Sequence, residues 1–155
     1  MKRYIIRLLI SLTALAACTP TPENIQQTDE QPPIYPDYTD VTIPVNIAPL
    51  NFLVRGAEAV TVTAADVTVS TSCEAVCFPI DEWQKLLTDH KDITVTVTAL
   101  MDGQWIQYRP FHWYVVEDKL DAWITYRLIE PDYEVWNNIQ LKQRCVENFD
   151  EAVLT

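Results

Sequence analysis

Along the middle of the chain, apolar residues alternate with threonine. Ala59-Val60-Thr61-Val62-Thr63-Ala64 and Val67-Thr68-Val69-Ser70 both do so, and Ile93-Thr94-Val95-Thr96-Val97-Thr98-Ala99 does so most cleanly. A period of two puts Ile93, Val95, Val97 and Ala99 on one face, the pattern of a half-buried strand. Asp102-Gly103 follows, a dipeptide suited to the type I′ hairpin turn, whose central residues need positive φ. The chain then returns through residues 104–109. Residues 111–116 and 122–128 predict two more strands, and the weaker alternation of residues 139–145 predicts the last. One stretch has a different period: Trp83, Leu86 and Leu87 recur at the i, i+3, i+4 spacing of a helix. Asp81 is placed to cap its N-terminus, with Gln84 completing a capping box. His90 and Lys91 fall at its other end, where the helix dipole favours cations. Many short antiparallel strands with one inserted helix predict a mainly β domain, an Ig-like antiparallel β-sandwich.

The run Phe111-His112-Trp113-Tyr114-Val115-Val116 is apolar on both faces, which predicts a strand covered on both sides. If instead the rings of Trp105, Trp113, Trp123 and Trp136 were exposed, they would make platforms for stacking on sugars. A glycan-binding module is therefore the alternative reading of the same residues.

The N-terminus has a different character. Lys2, Arg3 and Arg7 lead into the apolar residues 8–17, which end in small side chains. The apolar run is too short to span a bilayer and has the build of a secretory signal. Leu15-Ala16-Ala17-Cys18 looks like the lipobox of bacterial lipoproteins. That resemblance implies cleavage before Cys18, diacylglycerol on its sulfur and acylation of its amine. Several acyl chains together give stable anchoring. Thr19, rather than an aspartate, after the cysteine points to the outer membrane, with the domain facing the periplasm. Residues 19–33 hold four prolines, no aromatic residue and one large aliphatic, Ile25. Such a stretch buries too little to offset its ordering entropy, so a flexible spacer is expected. The chain thus divides into a signal (1–17), a lipidated cysteine with its spacer (18–33) and a folded part (34–155).

Charge removes several function classes. The 155 residues carry 11 Lys and Arg against 22 Asp and Glu, net −11. Loss of Lys2, Arg3 and Arg7 with the leader leaves 8 positive charges against 22 negative, net −14. Nucleic-acid binding depends on neutralising phosphates and is excluded. An anionic lipid surface also repels such a chain, so membrane contact rests on the acyl anchor. With only Gly56 and Gly103, neither a glycine-rich phosphate loop nor a dinucleotide fingerprint can be built.

Candidate chemistry is sparse. Cys73 and Cys77 have three residues between them, and His90 follows Cys77 after twelve more. These fit three of the four ligand positions of a zinc finger. Where the fourth belongs stand Thr94, Val95 and Thr96, so neither a metal nor a cofactor is expected. Export permits a disulfide among Cys73, Cys77 and Cys145, and with Cys18 acylated one thiol is left over. A redox role for Cys73 and Cys77 is a third reading. Ser70 and Ser72 lack the glycine-flanked elbow that exposes a nucleophilic hydroxyl. No enzyme activity is expected.

Two stretches resemble a known family. The first is Ile34-Tyr35-Pro36-Asp37-Tyr38-Thr39-Asp40-Val41-Thr42-Ile43-Pro44-Val45-Asn46-Ile47-Ala48-Pro49-Leu50-Asn51-Phe52. The second is Tyr126-Arg127-Leu128-Ile129-Glu130-Pro131-Asp132-Tyr133-Glu134-Val135-Trp136-Asn137-Asn138, continuing to Gln143-Arg144 and Glu147-Asn148-Phe149-Asp150-Glu151. Both look like the N-terminal region of exported TolB-like lipoproteins, a family often labelled cytochrome c biosynthesis. In that family a β-propeller follows, often after a Cys-x-x-Cys-His segment, and this sequence contains neither. The resemblance implies a solitary N-terminal domain, from a truncated or split gene, whose partner is a propeller domain or another envelope protein. The contact is expected at Pro44, Asn46, Pro49, Asn51 and Phe52 from the first stretch, and at Arg127, Glu130, Tyr133 and Trp136 from the second.

Overall fold

A computed structural model describes residues 20–129 and 140–155. The fold is mainly β and sandwich-like, with three sheets and one short helix. Its strands are β1 (Gln26–Gln27), β2 (Ile34–Tyr35), β3 (Val41–Pro44), β4 (Phe52–Val54), β5 (Ala59–Ala64), β6 (Val67–Thr71) and β7 (Ala75–Val76). Helix α1 (Ile80–Asp89) comes next, then β8 (Asp92–Met101), β9 (Gln104–Gln107), β10 (Phe111–Val116), β11 (Trp123–Leu128), β12 (Gln140–Cys145) and β13 (Glu151–Val153).

The longest strand, β8, organises the largest sheet. One of its edges pairs with β5 from Ala64↔Val95 to Ala59↔Leu100, and β6 closes that side as a hairpin on β5. Its other edge carries β9 and β10 end to end. Asp102 and Gly103 both take positive φ, 49° and 76°, as the type I′ turn between β8 and β9 requires. The register slips by one residue between β9 and β10, a bulge at Arg109-Pro110. Proline has no N–H for the ladder and is tolerated at such a bulge.

The outer side of the β9–β10 line is paired by the N-terminal part of the chain. Gln26 and Gln27 run parallel to Ile106 and Gln107, and residues 41–44 of β3 run parallel to residues 113–116 of β10. The main sheet is therefore mixed rather than wholly antiparallel. The same pairing corrects the expected spacer. Gln104 Nε2 donates to the Asn24 carbonyl at 2.9 Å, the Thr28 N–H to the Gln107 carbonyl at 3.0 Å and the Arg109 N–H to the Glu30 carbonyl at 3.0 Å. From Asn24 onward the chain lies along the sheet. This segment has no core of its own, but an open strand edge satisfies its backbone without one.

The second layer is the small sheet of β2, β4 and β7 together with α1. Between the layers, Val62, Ile93, Val95, Val97 and Ala99 meet Phe52, Val54, Leu86 and Leu87. Aromatic rings fill the centre: Phe78 lies 5.3 Å from Trp83 and 5.8 Å from Trp113, and the two indoles lie 5.3 Å apart. Both indoles are fully buried, and each finds an acceptor. Trp83 Nε1 donates to the Ile47 carbonyl at 2.9 Å, and Trp113 Nε1 to the Tyr38 carbonyl at 2.8 Å.

The helix starts earlier than its capping pattern suggested. Pro79 occupies the cap position without a side-chain cap bond, and Asp81 and Glu82 lie in the first turn. The entry is fixed instead by buried Phe78, whose N–H donates to Asn51 Oδ1 at 3.0 Å. Proline's fixed φ suits the first residues of a helix, and the two acids face the positive end of its dipole.

The aromatic strand β10 is covered on one side only. Phe111, Trp113 and Val115 are buried, whereas Tyr114 and Val116 are exposed, Tyr114 to 43%. The second layer lies against one face of the main sheet, so alternate residues look outward. This assignment makes Trp113→Ala cost roughly 3–5 kcal/mol, as for an aromatic removed from a closed core. Tyr114→Ala should stay within about 0.5 kcal/mol, as for an open surface position. Urea unfolding of the two variants reads the difference, and equal effects would contradict the face assignment.

Candidate interaction surface

Past β10 the chain leaves the sandwich and builds a third sheet. β11 pairs antiparallel with β12 from Trp123↔Cys145 to Leu128↔Gln140, and β12 pairs with β13 from Lys142↔Val153 to Arg144↔Glu151. No further strand flanks this sheet among the described residues.

Asn46 joins it to the sandwich. Its Nδ2 donates to the Leu120 carbonyl at 2.9 Å and to Glu147 Oε1 at 3.0 Å, while its Oδ1 accepts the Leu120 N–H at 3.0 Å. Two residues on, the Ala48 N–H donates to the Val146 carbonyl at 2.6 Å, and the Val146 N–H in turn donates to the Ala122 carbonyl at 2.9 Å. Between the joined parts runs an open cleft of about 270 Å³, with Tyr38, Ile47 and Leu50 on one wall and Ile124, Cys145 and Phe149 on the other.

The third sheet is unlike the other two in what it leaves uncovered. Trp123 is 46% exposed, Ile124 51% and Val153 58%, with Leu141, Phe149 and Leu154 also exposed. Cys145 is the sheet's one apolar residue that is buried among those described. By strand alternation Trp123 and Leu141 fall on one face of this sheet and Ile124 and Val153 on the other, so both faces carry apolar side chains open to water, a mark of contact surfaces.

A polar clamp orders its far edge. Lys142 Nζ donates to Glu151 Oε1 at 2.6 Å, and the Tyr126 hydroxyl donates to Glu151 Oε2. The Lys142 bond, then the Tyr126 bond, hold the Glu151 carboxyl below its ordinary range. Its acceptance of both hydrogen bonds raises Lys142 and Tyr126 above theirs. Arg144 lies over the Phe149 ring, 5.9 Å from its centroid.

The residues expected to carry a partner contact divide sharply. Phe52 is 3% exposed and faces the core, Pro49 is buried, and Asn51 is bound to the Phe78 amide. Pro44 is half-buried at the end of β3, opposite Val116. Asn46 joins two parts of the same chain. These five hold the fold together, because their side chains meet the protein's own backbone and core. Arg127 is exposed on β11, opposite Leu141. Glu130, Tyr133 and Trp136 lie outside the described residues, as does Cys18. Of the four tryptophans offered for stacking on sugars, Trp105 and Trp113 are buried, Trp123 is exposed and Trp136 lies outside the described residues.

Cys73, Cys77 and Cys145 are free thiols, the first two exposed and the third buried. Hydrogen bonds from the Thr71 side chain, and then the Ala75 backbone, lower the Cys73 thiol from its usual value. His90 is occupied by Asp66, with Nε2 and Oδ1 3.1 Å apart, and His112 by Asp92, with Nδ1 and Oδ1 2.7 Å apart. Among the described residues no three His, Cys, Asp or Glu side chains are grouped to hold a metal ion, and no helix is long and apolar enough to cross a membrane.

The sequence did contain a signal for the exposed sheet. Trp123-Ile124-Thr125-Tyr126 is apolar on both faces, as a strand buried on both sides would be. The clamp makes attachment of β13 depend on pH. Glu151 is depressed, so its contribution is complete above the unfolded carboxyl value of 4.5 and is lost as pH falls through the lower folded value. Tyr126 and Lys142 are raised, so theirs holds below about 10 and is lost in stronger alkali. Protection of the residue 151–153 amides, measured relative to the intrinsic exchange rate at each pH, should therefore fall at both extremes, and Glu151→Gln should remove the loss at low pH; protection that does not change with pH in the unsubstituted chain would count against the clamp. Comparison with protein-family models, with curated proteins and with solved structures finds no match to this chain.

Proposed function

We propose that the chain is a lipid-anchored, non-enzymatic docking domain of the bacterial cell envelope, held in the outer membrane through Cys18 and facing the periplasm. The observation that carries this reading is the third sheet, whose large apolar side chains stand open to water while its position is fixed by Asn46 and Ala48. A rigidly placed apolar surface on a strongly acidic chain is suited to one specific contact and resists non-specific ones.

The TolB-like resemblance fits the same place. Its two stretches, far apart in sequence, meet where Asn46 bonds Glu147 and Ala48 bonds Val146. The partner implied is a propeller domain or another envelope protein. Of the tryptophans offered as a glycan platform, Trp123 is the one exposed among the described residues, so docking to protein is the preferred reading.

The test is made on the anchor. Cys18→Ser should move the chain from the membrane fraction to the soluble fraction and abolish acylation of its N-terminal peptide by mass spectrometry. A chain that stays in the membrane without Cys18, or an N-terminal peptide that carries no acyl chain, would defeat the anchored reading.

A further inference from the structure

Different parts of the chain mark the two ends of the main sheet. Its longest strand, β8, has ten residues, which at about 3.3 Å each span roughly 30 Å. At one end Asp102 and Gly103 lead into β9, and the Gln104 side chain holds the Asn24 carbonyl. At the other end Asp92 lies opposite Tyr114. Just beyond, Val116 pairs with Pro44, and Asn46 binds Leu120 and Glu147 in the joint that carries the third sheet. β1 runs parallel to β9, so the residues before Asn24 lead off the Asp102-Gly103 end.

This placement limits the reach of an anchor at Cys18. Five residues, 19–23, separate Cys18 from Asn24. Six Cα steps of up to about 3.6 Å extend about 20 Å, whereas a free spacer running to Pro33 would extend about 50 Å and let any face meet the bilayer. With about 20 Å of chain and about 30 Å of sheet, the domain cannot stand with the Asn46 joint against the headgroups and Asn24 pointing away.

We propose that the Asp102-Gly103 end of the sandwich is a membrane-facing surface, set against zwitterionic lipid headgroups through Ile25, Tyr35, Leu53 and Arg55, and that the joint carrying the third sheet is held away from the bilayer. These four side chains belong to that end. Ile25 follows Asn24 and is exposed. The turn after β4 lies beside the end of β8: Gly56 is next to the Met101 side chain, and the Glu58 N–H donates to the Leu100 carbonyl at 2.9 Å. Arg55 begins this turn, and its guanidinium lies 4.2 Å from the centroid of the Tyr35 ring. Tyr35 stands opposite Leu53, and both are exposed. Tyrosine, arginine and large aliphatic side chains settle at headgroup level, with the apolar body toward the acyl chains and the polar tip in water. Glu23, Glu58, Glu74 and Asp102 stand at the same end, Glu74 through its bond from the Gly56 N–H. Those acids oppose an anionic surface, which is why the headgroups are zwitterionic. The acyl chains supply the affinity, and the surface supplies the orientation. A protein docking at the third sheet then approaches from the periplasm.

The inference rests on acylation of Cys18 and adds the orientation that the anchor imposes. The test uses the acylated full chain on vesicles of phosphatidylcholine and phosphatidylethanolamine that carry a headgroup-linked quencher. Cys73→Ser and Cys77→Ser remove the two exposed thiols, and Cys145 is buried. A fluorophore on Glu58→Cys should be quenched several-fold more than one on Lys119→Cys. Tyr35→Asp with Leu53→Asp should reduce the difference while leaving the circular dichroism spectrum unchanged, and Gly-Ser repeats inserted after Pro22 in that variant should erase it. The comparison of the two labels stands even if the double variant fails to fold. Equal quenching at the two positions, stronger quenching at residue 119, or a difference that survives both changes overturns the proposal. Flotation with the vesicles separates the two readings: a chain that floats with equal quenching keeps its anchor and loses this orientation, and one that does not float loses both.

Discussion

Two indole rings meet at the centre of the sandwich, and their burial imposes a constraint felt well beyond the core. A buried indole N–H must find an acceptor. Trp83 and Trp113 find theirs on the backbone of one segment, at Ile47 and Tyr38. That segment is thereby fixed at both ends of the short strand β3. β3 pairs parallel with β10 within it, and Asn46 and Ala48 project from it toward the third sheet. A requirement set by two core side chains thus places a surface formed about a hundred residues later in the chain.

Three edges, two on the main sheet and one on the third, show three outcomes. The β9–β10 edge is covered by the N-terminal segment, whose composition alone would leave it unfolded. The β6 edge remains open but is polar, with cross-strand hydroxyl pairs such as Thr61 with Ser70 on its solvent face. The β11 edge has no strand beside it among the described residues and is weakly charged. Edges of the last kind are costly to leave in water and are kept where something pairs with them. The acidic body and this edge work together: general repulsion suppresses random association, and the weakly charged strand is left to select a partner.

The alternating threonine strands were legible because each has one face in the core and one in water. The Asp102-Gly103 turn was legible because its chemistry is local. Trp83, Leu86 and Leu87 were legible as a buried helix face for the same reason. What failed were features decided by distant neighbours. Residues 24–33 look unable to fold, and their order depends on an edge presented by Gln104 to Gln107. Asp81 looks like a cap, but the burial of Phe78 and the bond from Asn51 start the helix earlier. His112, Tyr114 and Val116 look like core, but only one layer is available to cover β10.

The site shows the same limit in a sharper form. The family resemblance marked Asn46, Asn51 and Phe52 as contact residues, and residue type did not decide the matter, because a pair of asparagines near prolines reads equally well as a binding loop or as internal scaffolding. Backbone bonding decides between the two. Asn51 Oδ1 accepts the Phe78 N–H, and Asn46 binds Leu120 and Glu147, so both side chains bond within the chain's own fold. The exposed set at Trp123, Ile124 and Leu141 was visible in sequence only as hydrophobicity, which by itself argues for burial. Its meaning comes from counting what is available to cover it: the second layer is already used against the main sheet, and β12 and β13 lie beside β11 rather than on it. Apolar surface that none of the described residues covers is where another chain fits, and the placement of this sheet by Asn46 and Ala48 is what makes such a contact specific.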